Sequence, residues 1–250
     1  MEASGAGAFH NVQRAVLLAC AGAVTLAAWL WLAGGSQMTL MPVHRHRQVD
    51  LWAFVSLVAM WQAMMVAMMT PSSLQWILTF AALAGRTGGT RRGFGSAGAF
   101  AAGYFVVWLG YSIVAAALQT GIEHAGFLQV NGRLPAQAGG AVLMAAGLLY
   151  FTPLQRACLS HCRNPLTYFL ARWKNGPRSG FAFGLTHGAY CVGCCWALMI
   201  TGFAVGVMNI LWMVFLTLLA CLEKLAPHGD RIGAVAAAAM TIWGLVLLFY

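Results

Sequence analysis

The sequence predicts an all-α protein, a polytopic bundle of about seven transmembrane helices. It forms one integral membrane domain over 1–250 with its N-terminus on the inside. Three observations carry this. Hydrophobic residues make up 61% of the 250 residues and charged residues only 8%, against about 45–50% and about 25% in an ordinary soluble domain. The mean hydropathy is +0.76. The apolar residues also fall in runs of roughly 20, the length that crosses a bilayer as a helix. A surface with so little charge must face lipid, which excludes a water-soluble enzyme and a disordered chain. The net charge of +9 does not indicate a nucleic-acid partner, because the basic residues sit in short clusters between apolar runs. Seven cysteines are too few for a disulfide scaffold.

The first run, 15–33, follows Arg14 and ends near Trp29 and Trp31, residues suited to a membrane interface. No small-x-small cleavage pattern follows it, so it reads as a retained first span rather than a signal peptide. Further spans are expected at 51–70, 96–118, 137–153, 180–200, 203–222 and 232–250. The piece 74–84 follows Pro71 and is too short to cross alone. It reads as a kinked extension of the second helix. Arg86, Arg91 and Arg92 crowd one loop, and Arg156, Arg163, Arg172, Lys174 and Arg178 another. Both loops should face the cytoplasm, and Arg45 and Arg47 are outvoted on the other side. Gly184-x-x-x-Gly188 and Gly202-x-x-x-Gly206 suggest close helix contacts.

The most informative segment for chemistry is His187–Trp196, HGAYCVGCCW. With His187 at zero on a helix, Cys191, Cys194 and Cys195 fall at about 40°, −20° and 80°. One imidazole and three thiols thus share a face inside a span. That set suits a soft or borderline metal, with copper(I) favoured and zinc or an iron–sulfur cluster as alternatives. Packing of small apolar cysteines and thiol redox chemistry are the competing readings.

A second group, Cys158, His161 and Cys162, has helical spacing at the start of the basic loop. It would serve metal entry or exit there, or be a helix end with incidental thiols. Met60, Met64 and Met68 repeat every four residues beside Met65 and Met69. Thioethers can bind copper(I), and such a stripe can equally be core packing. Met64 lies about 20 Å into its helix at 1.5 Å per residue, a depth close to that of Cys191 and Cys194 on the oppositely running span. Glu223 and Lys224 end the sixth span after Cys221 and would pair with each other or lie at headgroup level. Glu223 is also a candidate ligand or proton carrier. Met38, Met41, His44 and His46 lie in a basic linker that could capture metal outside. Five acidic residues leave little for hydrolysis or a carboxylate proton relay, so binding is expected rather than catalysis.

The segments WQAMMVAMMTPS, TPLQRACLSHCRNP, HGAYCVGCCWALM, GVMNILWM and LEKLAP follow one another in that order. In this the chain resembles the prokaryotic family of predicted metal-binding integral membrane proteins, whose function is undefined, over about 52–248. The resemblance implies a multi-pass protein of the cytoplasmic (inner) membrane that binds a transition metal. It implies no reaction. Gln155 stands where that family's pattern suggests a lysine.

The residues and the resemblance lead to a transition-metal-binding protein handling copper(I) by transport, storage or delivery. The lipid bilayer and a protein in the membrane or periplasm are its expected partners. The metal set is His187, Cys191, Cys194, Cys195, Met64, Met68, Cys158, His161, Cys162 and Glu223. The alternatives are a membrane thiol-redox or haem-binding protein, with His187 as axial ligand, and a structural subunit of a larger membrane complex.

Overall fold

The computed structural model describes residues 2–35, 51–129, 132–173 and 176–249. All regular structure among them is helical: α1 (Glu2–Gly35), α2 (Leu51–His124), α3 (Ala136–Tyr150), α4 (Pro153–Arg163), α5 (Pro165–Arg172), α6 (Pro177–Ile200), α7 (Gly202–Val205), α8 (Ile210–Leu225) and α9 (Gly229–Phe249). The linker with Met38, Met41, His44 and His46 lies outside the described residues.

α2 consists of two arms. Gly89, with φ 78°, leaves the helical region between them, a conformation that glycine adopts without a Cβ penalty. The arms cover Leu51–Arg86 and Arg91–His124. Pro71 lies inside the first arm, and the helix continues through it, so 74–84 extends the second expected span.

Five helical stretches among the described residues are long and apolar enough to cross a membrane: Asn11–Gly34, both arms of α2, Pro177–Val205 and Gly229–Phe249. α3 and α4 together make a sixth, bent by 67°. The stretch expected to span at 203–222 is instead divided. α7 stops at Gly206, whose φ is 119°, and α8 starts at Ile210 after Asn209 caps it by accepting from the Trp212 N–H at 3.1 Å.

The core forms where α6 lies against the second arm of α2. Gly180, Gly184 and Gly188 recur every fourth residue and make one smooth stripe. A Cβ on Gly180 would stand 2.7 Å from the Ser96 carbonyl oxygen, and one on Gly188 3.1 Å from that of Tyr104. The backbones therefore approach more closely than any larger residue permits. The expected contact at Gly184 and Gly188 is present. At Gly202 and Gly206 the glycines serve a chain break instead.

A candidate metal centre at the meeting of α2, α4, α6 and α8

α6 presents Cys191, Cys194 and Cys195 to the interior, all buried. Their Sγ atoms all lie within 4.8 Å of one another, and those of Cys194 and Cys195 are 3.4 Å apart. Sulfurs around one metal at about 2.3 Å stand about 4 Å from each other, so the spacing fits a single ion. All the described cysteines are free. Cys194 and Cys195 are chain neighbours with Cα atoms about 3.8 Å apart, below the usual disulfide range of about 4.4–6.8 Å.

A fourth sulfur comes from α4. Cys162 Sγ is 3.8 Å from Cys194 Sγ. The Cys158–Cys162 segment is therefore no separate loop cluster, as its position in the sequence suggests. Its last cysteine belongs with the buried thiols of α6. Two donors from the first arm of α2 hold it there: Trp76 Nε1 and Gln75 Nε2 donate to the Cys162 carbonyl at 2.7 and 3.2 Å. Cys158 is buried and faces Gly193, where a Cβ would stand 2.9 Å from its sulfur. Gln155, buried at the start of α4, donates its side-chain amide to the Cys194 carbonyl. α4 itself begins with Pro153 behind the Thr152 cap and ends at Asn164, before Pro165.

Cys191 has two further partners. The Tyr104 hydroxyl is 3.1 Å from its Sγ, placed there by the close α2–α6 packing one turn from Gly188. Lys224 of α8 also reaches it. Its Nζ donates to Cys191 Sγ at 3.1 Å and to Ser72 Oγ at 3.2 Å. Lys224 is only 4% exposed, so the expected headgroup position gives way to an inward one. The Lys224 ammonium and the Tyr104 hydroxyl thus both stand against one sulfur of the group.

His187 takes a different place from that expected. Its ring, 1% exposed, stacks on Trp76 at 4.1 Å and on Tyr104 at 5.3 Å. It is not one of the three residues whose ligand atoms converge. Its Nδ1 is buried without a hydrogen-bond partner. His161 stacks on Tyr190 at 3.8 Å, and its Nε2 is likewise buried and unpartnered. Glu223 is buried with Oε1 unpartnered, while its neighbour Lys224 turns to the cysteines. Met64 and Met68 are buried in the same core as the cysteines, together with Met60, Met65 and Met69. Cys221 is half-buried and stands outside the group of three.

Sequence reasoning missed Tyr104, Ser72 and Trp76, and gave Lys224 and Gln155 other settings. Only Lys224 carried a signal, as a lysine closing an apolar run. The others are ordinary residues of membrane-like helices that folding brings to the sulfurs.

No curated protein and no solved structure matches the chain. The family model of PpoB2, described as a copper chaperone, matches residues 58–247. The matched stretch contains every cysteine of the centre together with Tyr104, Gln155 and Lys224. A match over most of the chain places this protein in the PpoB2 copper chaperone family.

Proposed function

We propose that this protein is a membrane-embedded copper(I) handler that holds the ion among Cys191, Cys194, Cys195 and Cys162 and passes it to a protein partner. The observation that carries the reading is the group of three buried thiols within 4.8 Å of one another. Thiolates suit soft or borderline ions, copper(I) and zinc among them. The family's description as a copper chaperone supports copper(I) over zinc and supports delivery to a recipient. Lys224 offsets part of the negative charge of a copper–thiolate centre, which is costly to leave unpaired in an apolar interior. Tyr104 orients Cys191, and Gln155 orients the α6 backbone at Cys194. Met64 and Met68 are soft donors in the same core and suit transfer toward or away from the thiols. His187, His161, Cys158 and Glu223 are auxiliary ligands on this reading. The buried, unpartnered atoms of His187, His161 and Glu223 support that assignment.

The arrangement we favour has seven crossings with the N-terminus inside, in the cytoplasmic membrane of a prokaryote. Arg86, Arg91 and Arg92 at the turn of α2, and Arg156, Arg163, Arg172 and Arg178 around α4 to α6, favour the cytoplasmic side. α8, at 16 residues, rises about 24 Å and serves as the short sixth crossing.

Metal analysis of the purified protein tests the function. We expect about one copper(I) per chain with three to four sulfur neighbours by X-ray absorption, for an ion of this chemistry. Cys194→Ser should abolish stoichiometric binding, and Cys20→Ser, at an exposed position on α1, should not. Copper retained in full by Cys194→Ser, or zinc in its place, removes the reading. A thiol-redox role would use a pair of these thiols, such as Cys162 and Cys194 at 3.8 Å or Cys191 and Cys194 within 4.8 Å. Quantitative thiol titration after mild oxidation reads it directly, as the loss of two thiols.

A further inference from the structure

A cavity lies beside the cysteine centre, and copper binding by itself does not account for its charge. Its volume is about 790 Å³, within the usual range of roughly 300–1,000 Å³ for small-molecule sites. Lys224 and Gln155 line it. These two side chains touch Cys191 Sγ and the Cys194 carbonyl, so the cavity ends one side chain away from the sulfurs. Its outer part carries Arg156, Arg163 and Arg231. Arg156 and Arg231 are exposed. Arg163 is held by the Ala226 and Pro227 carbonyls at 2.9 and 3.0 Å. Asp230 is the one carboxylate among the lining residues, and its Oδ1 already faces Arg163 at 3.4 Å. A free copper(I) cation is repelled by such a mouth, whereas an anion is drawn in.

We propose that this cavity is the port of the cysteine centre, and that copper(I) passes through it as an anionic complex with a small, carboxylate-bearing thiol. The inference rests on the copper reading above and names the ligand that accompanies the metal. The volume admits a thiol of tripeptide size and excludes a protein domain. The arginines bind the carboxylates, to which their planar donors are matched, and leave the metal end pointing to Lys224 and the sulfurs. Exchange then follows at constant oxidation state. One copper–sulfur bond to the donor breaks as one to Cys191, Cys194 or Cys195 forms. The proton of the accepting thiol leaves with the departing thiolate. On the proposed orientation the port opens to the cytoplasm, whose reducing conditions keep such thiols free.

The test uses the full chain in lipid nanodiscs, loaded in parallel from the copper(I) complexes of glutathione, which carries carboxylates, and of cysteamine, which carries an amine. The readout is the initial rate at which copper appears in the nanodisc fraction after rapid desalting from the donor complex. Arg156→Glu/Arg231→Glu, two exposed charge reversals, should slow loading from the glutathione complex by about tenfold or more, in the range typical of electrostatic steering. Added salt should reduce the difference between the two proteins. Loading from the cysteamine complex should not slow. Equal effects on both donors, or none on either, overturn the port. If the arginines serve an acidic protein face instead, glutathione loading is untouched and the proposal falls. Failure of the unaltered protein to hold copper from either donor removes the copper reading and the port with it. The two failures are therefore distinct.

Discussion

At the scale of the residue, the proposed centre relies on groups that would not themselves take metal. Cys191 is gripped by Tyr104 and Lys224 at 3.1 Å each. Replacing Lys224 with Met keeps most of the length of the side chain and removes the cation. The copper–thiolate centre then carries its negative charge uncompensated among apolar groups. We expect copper(I) affinity to fall by about 10–100-fold, the usual effect of losing a partner of a metal ligand. Competition against a copper(I)-selective chromophoric chelator measures it. Unchanged affinity would show that Lys224 only fills space. Tyr104→Phe removes one hydrogen bond and leaves the ring against His187. Its expected effect has the same sign and is smaller. Cys191, Cys194 and Cys195 were legible in the sequence because helical geometry alone puts them on one face. Tyr104 was not, because nothing local distinguishes it from other tyrosines.

At the scale of the element, α6 can place its cysteines only because its glycines let it lie on α2. A Cβ at Gly184 would stand 2.9 Å from the Phe100 carbonyl carbon and 3.0 Å from the Tyr104 N. Those are backbone atoms, which cannot step aside as a flexible side chain does. Gly184→Ala should therefore destabilise the protein by about 1–3 kcal/mol, as overpacking does, and should weaken copper binding through the displaced Tyr104. Gly98→Ala on the same helix as Tyr104 meets nothing within 4 Å. It should be neutral or stabilising by up to about 1 kcal/mol, through helix propensity. Thermal unfolding in one detergent, with and without copper, compares the two. A Gly184→Ala protein as stable as the parent would mean that the helices are not packed as described. Repeated glycines at i, i+4 and i+8 are readable in sequence. The partner helix is not, since many apolar faces could receive such a stripe.

At the scale of the whole molecule, the proposed orientation rests on the distribution of charge and is read by fusions. Reporter fusions at the turn of α2 near Gly89, at the α2–α3 connection near Gly126 and at the C-terminus should read inside, outside and outside, respectively. A C-terminus read inside would mean that α8 does not cross, and the count would fall by one. The sequence placed one continuous helix at 203–222, where the structure divides α7 from α8, because hydropathy is a sum over residues. It does not register that Gly206, at φ 119°, turns the chain. The bend of 67° between α3 and α4 was equally invisible, although Pro153 and Pro165 mark both ends of the segment that it swings inward.

Composition and periodicity alone determined the helical class, the long apolar helices and the sulfur-rich face of α6. These depend on neighbours along the chain, at fixed rise and rotation per residue. Folding alone decided that Cys162 joins that face from another helix, that Lys224 points inward, and that His187 is stacked among aromatic rings outside the group of three thiols. Each of those outcomes depends on which surfaces meet, and many residues separate the partners in the chain. A site assembled from α2, α4, α6 and α8 exists only once backbone contacts at a few glycines bring those helices together.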